Sequence, residues 1–194
     1  MGEVKKSRPR LAARSRPSLS PTIRALTLGD RDAALAVIHS GAHRHQGFLP
    51  PVDRTDPAMT PREWDALAQR MTWYGAFVHG QLVGVVALEY VPDAALPRHA
   101  YVLPDYQRQR IATCLGAYLE SRIQGARRII VWTYAGNYKA RRGLEKAGYT
   151  LSAESEAVLR AYYSLPEARL KASVAYEKPV PANRRPGGVP ASDT

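Results

Sequence analysis

The stretch Tyr101-Val102-Leu103-Pro104-Asp105-Tyr106-Gln107-Arg108-Gln109-Arg110-Ile111-Ala112 is the most informative part of this chain. A strand pattern stops at Pro104, a short polar loop follows, and a helix pattern begins at about Arg108. The first N–H groups of a helix lack intrahelical acceptors, and the macrodipole adds partial positive charge there. This stretch therefore predicts an anion site, best suited to a diphosphate. The alternative is an ordinary helix start that binds no ligand.

The residues after this stretch alternate between helix and strand patterns. The helix that starts at Arg108 extends to about Gln124, and its apolar stripe follows helical spacing: Ile111, Cys114, Leu115, Tyr118 and Leu119. A continuous apolar run at Ile129–Tyr134 predicts a strand that is buried on both faces. We then expect a helix from Asn137 to Gly148, a short strand at Tyr149–Leu151, a helix around Val158–Tyr163 and a last strand at Leu170–Tyr176.

The residues before it predict a strand, two helices and an antiparallel meander. Thr60-Pro61-Arg62-Glu63 has the pattern of a capping box with proline at the first helical position. The meander strands are expected at Trp73–His79, Leu82–Tyr90 and Arg98–Leu103, with a hairpin turn at Gly80-Gln81. Further elements are a strand at Thr22–Thr27, a helix capped by Asp30 and a loop at Phe48–Met59. The order predicts an α/β (α+β) fold with a mixed sheet.

Composition limits the class of protein. The 194 residues suit one domain, which we place at 22–179, and no apolar run reaches the length of a membrane span. The single cysteine fits a reducing, cytoplasmic setting. The net charge is +11, and residues 1–24 hold seven Lys or Arg against one Glu. We expect residues 1–21 and 180–194 to be disordered tails, the first of them basic.

Two spaced motifs resemble the GNAT (general N-acetyltransferase) superfamily. Members end a strand with Val-x-Pro and open the next helix with Gln/Arg-x-x-Gly-x-Gly/Ala, which matches Val102 to Ala112 except at Arg110. The segment from Asn137 to Tyr149 is similar to the family's Asn-x-x-Ala motif on the following helix. The resemblance covers about residues 22–178. It implies the GNAT fold, a mixed, mostly antiparallel central sheet of about six or seven strands flanked by helices.

The resemblance also implies chemistry. Acetyl-CoA would be the acyl donor, without a metal, and a primary amine of a small molecule or peptide would attack the thioester directly. An N–H near Val102 would stabilise the oxyanion, and Asn137 would hydrogen-bond the pantetheine arm, cap its helix, or do both. The residues that the match assigns to coenzyme A are Val102, Leu103, Gln107, Arg108, Gln109, Arg110, Ile111, Ala112, Thr113 and Asn137. Whether the chain forms a homodimer is left open by the sequence.

Three positions depart from the family pattern. Arg110 replaces a glycine, which costs about 1–2 kcal/mol if the position needs positive φ. A charge-assisted hydrogen bond from Arg110 to a phosphate would offset this by roughly 1.5–3 kcal/mol. Leu144 stands where many members have the tyrosine that protonates the leaving thiolate, and Leu96 stands where a carboxylate is often found. The acid and base must come from other residues, or from water.

The catalytic candidates are His99, Tyr101, Glu89 and Tyr134. His99 and Tyr101 share a face of their predicted strand by alternation, and His99 is either the general base or a half-buried strand histidine. Glu89 is either a base or a solvated strand end. His39, His43 and His45 lack the companions that a zinc site requires, so we expect no metal.

Two other functions compete with acyl transfer. The departures at Leu144 and Leu96 favour a degenerate domain that binds acyl-CoA without turning it over, as a sensor. The basic N-terminal tail is compatible with nucleic-acid binding, although a solvated, disordered extension is the favoured explanation. Acyl transfer is the prediction that the motifs support best.

Overall fold

The computed structural model describes residues 20–42 and 58–184. Within these ranges the chain forms a seven-stranded mixed sheet with strand order β1-β2-β3-β4-β5-β7-β6. All neighbouring pairs are antiparallel except β4 and β5. The strands are β1 Thr22–Ala25, β2 Met71–Val78, β3 Gln81–Tyr90, β4 Ala94–Val102, β5 Arg128–Tyr134, β6 Thr150–Leu151 and β7 Ser173–Pro179. The predicted fold class is confirmed.

Helices cover both faces of this sheet. On one face, residues of α3 and α4 join a core with the inward side chains of β2, β3, β5 and β7. On the other face, α1 and α2 pack on the N-terminal strands, and α5 and α6 pack on β4, β5 and β7. The helices are α1 Arg31–Ala42, α2 Pro61–Ala68, α3 Ile111–Arg122, α4 Tyr138–Lys146, α5 Ser155–Tyr162 and α6 Glu167–Lys171. None of these helices is long and apolar enough to cross a membrane.

The sheet splits between β4 and β5. These parallel strands pair only at Ala94–Arg128 and Ala95–Ile129 and then separate, whereas β5 pairs with β7 along its whole length. Pro97 lies just beyond the last pair, and it has no N–H to extend a ladder. The split also corrects the prediction that Ile129–Tyr134 is buried on both faces, because the strand is only partly buried from residue 131 onward.

Two local predictions from turn and cap chemistry are confirmed. The Thr60 Oγ1 accepts the Glu63 N–H at 3.2 Å, and the Glu63 carboxylate accepts the Thr60 N–H at 2.7 Å, which completes the capping box of α2. The β2–β3 hairpin is present, with its turn one residue earlier than predicted, at His79 and Gly80, whose φ angles are +50° and +80°. Two central residues with positive φ are typical of the turn that matches strand twist.

Several predicted boundaries are corrected. The third meander strand begins at Ala94, four residues before the predicted start, and α3 begins at Ile111 and not at Arg108. The predicted last strand at Leu170–Tyr176 begins at Ser173, because Pro166 and the helix formers after it build α6 first. Asp30 does not cap α1. It closes a short 3₁₀ turn, where its carboxylate accepts the Thr27 N–H at 2.8 Å.

The ordered chain continues beyond the predicted domain end at residue 179. Val180 is buried, and the Arg184 guanidinium donates to the Glu120 carbonyl at 2.9 Å. The remaining tail residues, 1–19 and 185–194, lie outside the described residues. The same is true of residues 43–57, which include most of the predicted 48–59 loop.

Candidate functional site

The loop between β4 and α3 has an unusual backbone. Arg108 and Arg110 have φ angles of +61° and +66°, in the left-handed region that favours glycine. The first intrahelical bond of α3 runs from the Cys114 N–H to the Arg110 carbonyl at 2.9 Å. The N–H groups of the three residues between them, Ile111, Ala112 and Thr113, therefore lack helical acceptors. This end of α3 presents backbone donors and partial positive charge to an anion.

The side chains of this loop leave that backbone accessible. Ile111 is buried in the core, whereas Ala112 and Thr113 are exposed, as are both arginines of the loop. Gln107 braces the loop, because its amide donates to the Val102 carbonyl at 3.2 Å and accepts from Lys139 of α4, also at 3.2 Å. Gln109 donates to the Asp105 carbonyl at 2.6 Å. The two glutamines therefore hold the loop, and the arginines extend from it.

Asn137 precedes α4 and caps it. Its side-chain oxygen accepts the Ala140 N–H at 3.2 Å, and its amide nitrogen donates to Thr133 Oγ1 at 3.3 Å. Of the two roles considered for Asn137, the geometry accounts for the cap.

The split between β4 and β5 leaves backbone groups facing a gap. Leu103 follows the last residue of β4 and donates its N–H to the Val83 carbonyl of β3 at 2.9 Å. Because successive N–H groups of a strand point to opposite sides, the Val102 N–H points away from β3, toward the gap. The matching edge of β5 has no β4 partner after Ile129. The gap leads directly to the loop before α3, because Leu103 joins the end of β4 to that loop.

His99 lies in a β-bulge on β4. The register with β3 shifts here, because Ala87 opposes Arg98 and Val85 opposes Tyr101. His99 has φ of +54°, a conformation that costs about 1–2 kcal/mol for a non-glycine residue. Its ring stacks on Trp73 with 5.4 Å between ring centroids, and burial together with nearby Arg98 and Arg70 lowers its pKa from 6.5 to about 4. At neutral pH this imidazole carries no charge.

The two candidate tyrosines lie on either side of the gap. Tyr101 packs against α1, where a Cβ at Gly41 would come within 2.9 Å of the Tyr101 ring. Burial raises the pKa of the Tyr101 hydroxyl, an effect that the Arg169 guanidinium opposes. Tyr134 ends β5 and contacts Trp132 edge to face, with 5.3 Å between ring centroids. Strand alternation places Tyr134 on the face that α5 and α6 cover, the face that also carries His99 and Tyr101.

Glu89 is not the solvated strand end that was one expectation. Its side chain is only 11% exposed, and it forms an ion pair with the Arg98 Nε at 2.8 Å and with the Arg70 guanidinium at 3.4 Å. Arg98 also donates to the Tyr162 carbonyl at 3.2 Å and lies over the Tyr163 ring. Tyr163 in turn donates to the Ile130 carbonyl of β5 at 2.9 Å. This set of side chains links β4 to β5 below the gap.

Two of the three positions that depart from the family pattern hold leucines that pack in the core. Leu96 is fully buried in the core beneath α5, directly across from Glu89 in the register. Leu144 packs on the core beneath α3. Neither residue can exchange a proton. Cys114, expected in the core stripe of α3, is only partly buried and lies outside the core clusters.

Histidines do not form a metal centre in the part of the chain that is described. His39 contacts the Met59 carbonyl through Nε2 at 2.7 Å, while His43 and His45 lie outside the described residues. No group of three or more potential ligands from His, Cys, Asp and Glu comes together among residues 20–42 and 58–184.

Comparison with known families agrees with this geometry. The model of the acetyltransferase (GNAT) family matches residues 40–149, which include both sides of the gap and the loop before α3. The chain belongs to the GNAT acetyltransferase family. No curated protein sequence matches it.

Solved structures share the GNAT fold with this chain at low sequence identity. The ribosomal-protein-S18-alanine N-acetyltransferase from Escherichia coli is 19% identical, with a TM-score of 0.61 over 83% of this chain and 94% of that one. An N-acetyltransferase (PaiA) from Thermoplasma acidophilum, in complex with coenzyme A, is 15% identical, with a TM-score of 0.60 over 83% and 99%. Ard1 from Thermoplasma volcanium is 18% identical, with a TM-score of 0.62 over 83% and 98%. At these identities the comparison establishes the fold alone.

The structure also adds residues that sequence reasoning did not select. Trp73, Arg70 and Arg98 surround His99 or Glu89, and Trp132 and Tyr163 line the β5 side. Their contacts are between residues far apart in the chain, and none of them lies in a spaced motif. The one sequence signal for an irregular β4 is Pro97, since proline in a strand is typical of an edge or a bulge.

Proposed function

We propose that this GNAT protein is an acetyl-CoA-dependent N-acetyltransferase that transfers the acetyl group directly to a primary amine. The observation that carries the proposal is the continuity between the β4–β5 gap and the free N–H groups at the start of α3. An acyl-CoA needs both features, since it has an extended amide-bearing arm that ends in a diphosphate. The fold match to a neighbour that was solved with coenzyme A supports the same assignment.

The donor would be held mainly by backbone. The N–H groups of Ile111, Ala112 and Thr113 suit the diphosphate, and Arg108 and Arg110 add charge at the same end. The unpaired edges of β4 and β5 suit the amides of the pantetheine arm, in the manner of an added strand. When bound, acetyl-CoA supplies an activated acetyl thioester, and no metal is required.

Positioning would supply much of the rate. Holding an amine against a thioester in the correct geometry can contribute several kcal/mol, up to about 7–11 in ideal cases. The Val102 N–H is directed into the gap, where it can stabilise the negative charge that develops on the carbonyl oxygen. This contribution does not depend on a dedicated acid or base, so Leu96 and Leu144 are compatible with activity.

The proton steps are assigned to the residues that face the gap. We assign proton acceptance from the amine to His99, which is neutral at physiological pH although its low pKa makes it a weak base. Tyr101 is protonated at that pH, and Tyr101 or Tyr134 would give a proton to the leaving thiolate. Glu89 is held by two arginines, and its role would be to position Arg98 and not to act as a base.

A domain that binds acyl-CoA without turning it over is the competing function. The buried Leu96 and Leu144 favour it, because they remove two groups that commonly handle protons in this family. Both functions require the same donor site, so donor binding does not separate them.

Thiol release separates them. Acetyl-CoA is incubated with the protein and a panel of amines, and free coenzyme A is measured with a thiol reagent. We expect release that depends on both the amine and the enzyme. Tight coenzyme A binding with no release for any amine would contradict the enzyme and support the sensor. An Ala112→Asp variant serves as the control, because a carboxylate at the start of α3 opposes diphosphate binding.

A further inference from the structure

The face of the sheet that carries His99, Tyr101, Trp132 and Tyr134 is here called the acceptor face. It is the side from which an amine would approach a thioester held in the gap. Two of the residues that line it, His99 and Tyr101, have pKa values that are shifted by nearby cations. Arg98 and Arg70 both disfavour a proton on His99, and Arg169 favours ionisation of Tyr101. Each charged group that acts on these two side chains is therefore a cation.

Glu89, one of the described carboxylates on this face, does not offset these cations. Glu89 pairs with the Arg98 Nε at 2.8 Å and is then close to a second guanidinium, that of Arg70, at 3.4 Å. Two cations thus share one anion, and Arg169 adds a third cation nearer to Tyr101. A substrate that brought further positive charge would be repelled.

The two cations beside Glu89 are not equivalent. Arg98 is largely buried, lies over the Tyr163 ring at 4.5 Å and donates to the Tyr162 carbonyl, so its guanidinium is engaged on several sides. The Arg70 side chain is 58% exposed, and its contact with Glu89 is longer. A guanidinium presents several donors in a planar fork that matches a carboxylate. Arg70 therefore has donors available for a ligand.

The aromatic lining agrees with a small acceptor. Trp73 stacks on His99, and Trp132 contacts both Tyr134 and Tyr163 edge to face. An amine that is buried among these side chains loses water, and the loss of water disfavours its charged ammonium form. A ligand with a neutral amine and a separate anionic group fits this lining and this charge.

We propose that the acceptor is an amino carboxylate, such as an amino acid, whose carboxylate pairs with Arg70 while its amine lies beside His99. This inference rests on the proposed acetyltransferase function and adds the class of substrate to it. It excludes polyamines and lysine-rich peptides as preferred acceptors, because their additional ammonium groups would meet the cations of the acceptor face.

Matched pairs of amines test the inference. Free amino acids other than cysteine are compared with their amides, and spermidine and a neutral primary amine complete the panel. Coenzyme A release is measured for the full chain. Amidation also lowers the pKa of the amine, so rates are compared per concentration of neutral amine. We expect at least one amino acid to exceed its amide in kcat/KM by about tenfold or more, the size of a charge-assisted hydrogen bond.

Arginine variants test whether Arg70 binds the carboxylate of the acceptor. Arg70→Gln should bring the acid-to-amide ratio close to one, and Arg70→Lys should restore part of it. Arg160→Gln is the matched control, because Arg160 is an exposed α5 arginine paired with Glu156 and Glu167 away from His99. It should leave the ratio unchanged. A thermal melt of each variant checks that the fold is intact.

The outcomes distinguish this inference from the proposed function. Transfer to amides, neutral amines or spermidine at equal or higher kcat/KM would overturn the amino carboxylate and leave the acetyltransferase standing. A strong acid preference that survives Arg70→Gln would also overturn the inference, because Arg70 would not be the partner. Absence of transfer to every amine would overturn both.

Discussion

The proposed donor end, which is the loop before α3 together with residues 111–113, and the acceptor face are built in different ways. At the donor end, the loop before α3 offers mainly backbone N–H groups, and its arginines extend into solvent. The acceptor face is instead formed by side chains that contact one another, since Glu89, Arg98 and Tyr163 link β4 to α5 and β5. Backbone recognition tolerates changes of side chain, whereas a buried network does not. The two regions should therefore respond differently to substitution.

The largest effect is expected from breaking the Glu89–Arg98 pair. Arg98→Met leaves the Glu89 carboxylate largely buried with only the longer contact to Arg70. We expect the free energy of unfolding to fall by about 3 to 5 kcal/mol in urea denaturation. Glu89→Gln combined with Arg98→Met should recover part of the loss. Arg160→Met, at an exposed ion pair, should cost under about 1 kcal/mol, and an equal loss in both arginine variants would contradict the network.

The second effect is a pH dependence that comes from His99. Its pKa is lowered from 6.5 to about 4, so the unfolded chain binds a proton in this interval that the folded chain does not. Stability should therefore fall as pH decreases from about 6.5 to 4, by at most about 3 kcal/mol.

His99→Asn should flatten that dependence, because asparagine accepts positive φ and does not titrate here. Urea denaturation at a series of pH values measures the slope. The control is His79→Asn in the β2–β3 turn, which also has positive φ and which keeps His99. If the slope survives His99→Asn, the buried histidine is not its source.

The third effect concerns the donor end. Ala112→Asp places a carboxylate among the free N–H groups of α3, which favours the helix but repels a diphosphate. We expect coenzyme A binding to weaken by about 2 kcal/mol or more, with folding stability unchanged or slightly higher. Ala117→Asp, an exposed position in the middle of the same helix, should bind as the wild type does. Calorimetric titration measures both, and equal affinities would contradict the diphosphate site.

The smallest effect separates backbone strain from charge at Arg110. Its φ of +66° is costly for arginine and not for glycine, so Arg110→Gly should raise the free energy of unfolding by about 1 kcal/mol. Arg110→Ala should not, since alanine keeps the strain. Both variants remove the guanidinium and should weaken coenzyme A binding to a similar degree. A stability gain in Arg110→Ala as large as in Arg110→Gly would show that charge repulsion, and not φ, is relieved.

The strand, loop and helix around Pro104 could be predicted from the sequence for a physical reason. Pro104, the polar loop and the apolar stripe after it are local signals, and Thr60 to Glu63 and Gly80 are equally local. The resemblance placed a glycine at Arg110, and the positive φ found there gives a reason for that glycine. The mixed sheet followed from the order of these elements.

The acceptor face was predicted less completely, because it depends on contacts between distant residues. The bulge at His99 is a register shift between strands, which no single segment encodes. Glu89 was expected at a solvated strand end or as a base, and its burial depends on Arg98 and Arg70 meeting it in space. The assignments of His99, Tyr101 and Tyr134 to proton transfer stay predictions.

A calorimetric comparison of coenzyme A with pantetheine tests the central claim most directly. Both ligands carry the arm that would occupy the β4–β5 gap, but only coenzyme A has the diphosphate for the start of α3. We expect clear binding of coenzyme A and binding of pantetheine that is weaker by at least about tenfold. Absence of heat with coenzyme A, or equal affinity for the two ligands, would contradict it.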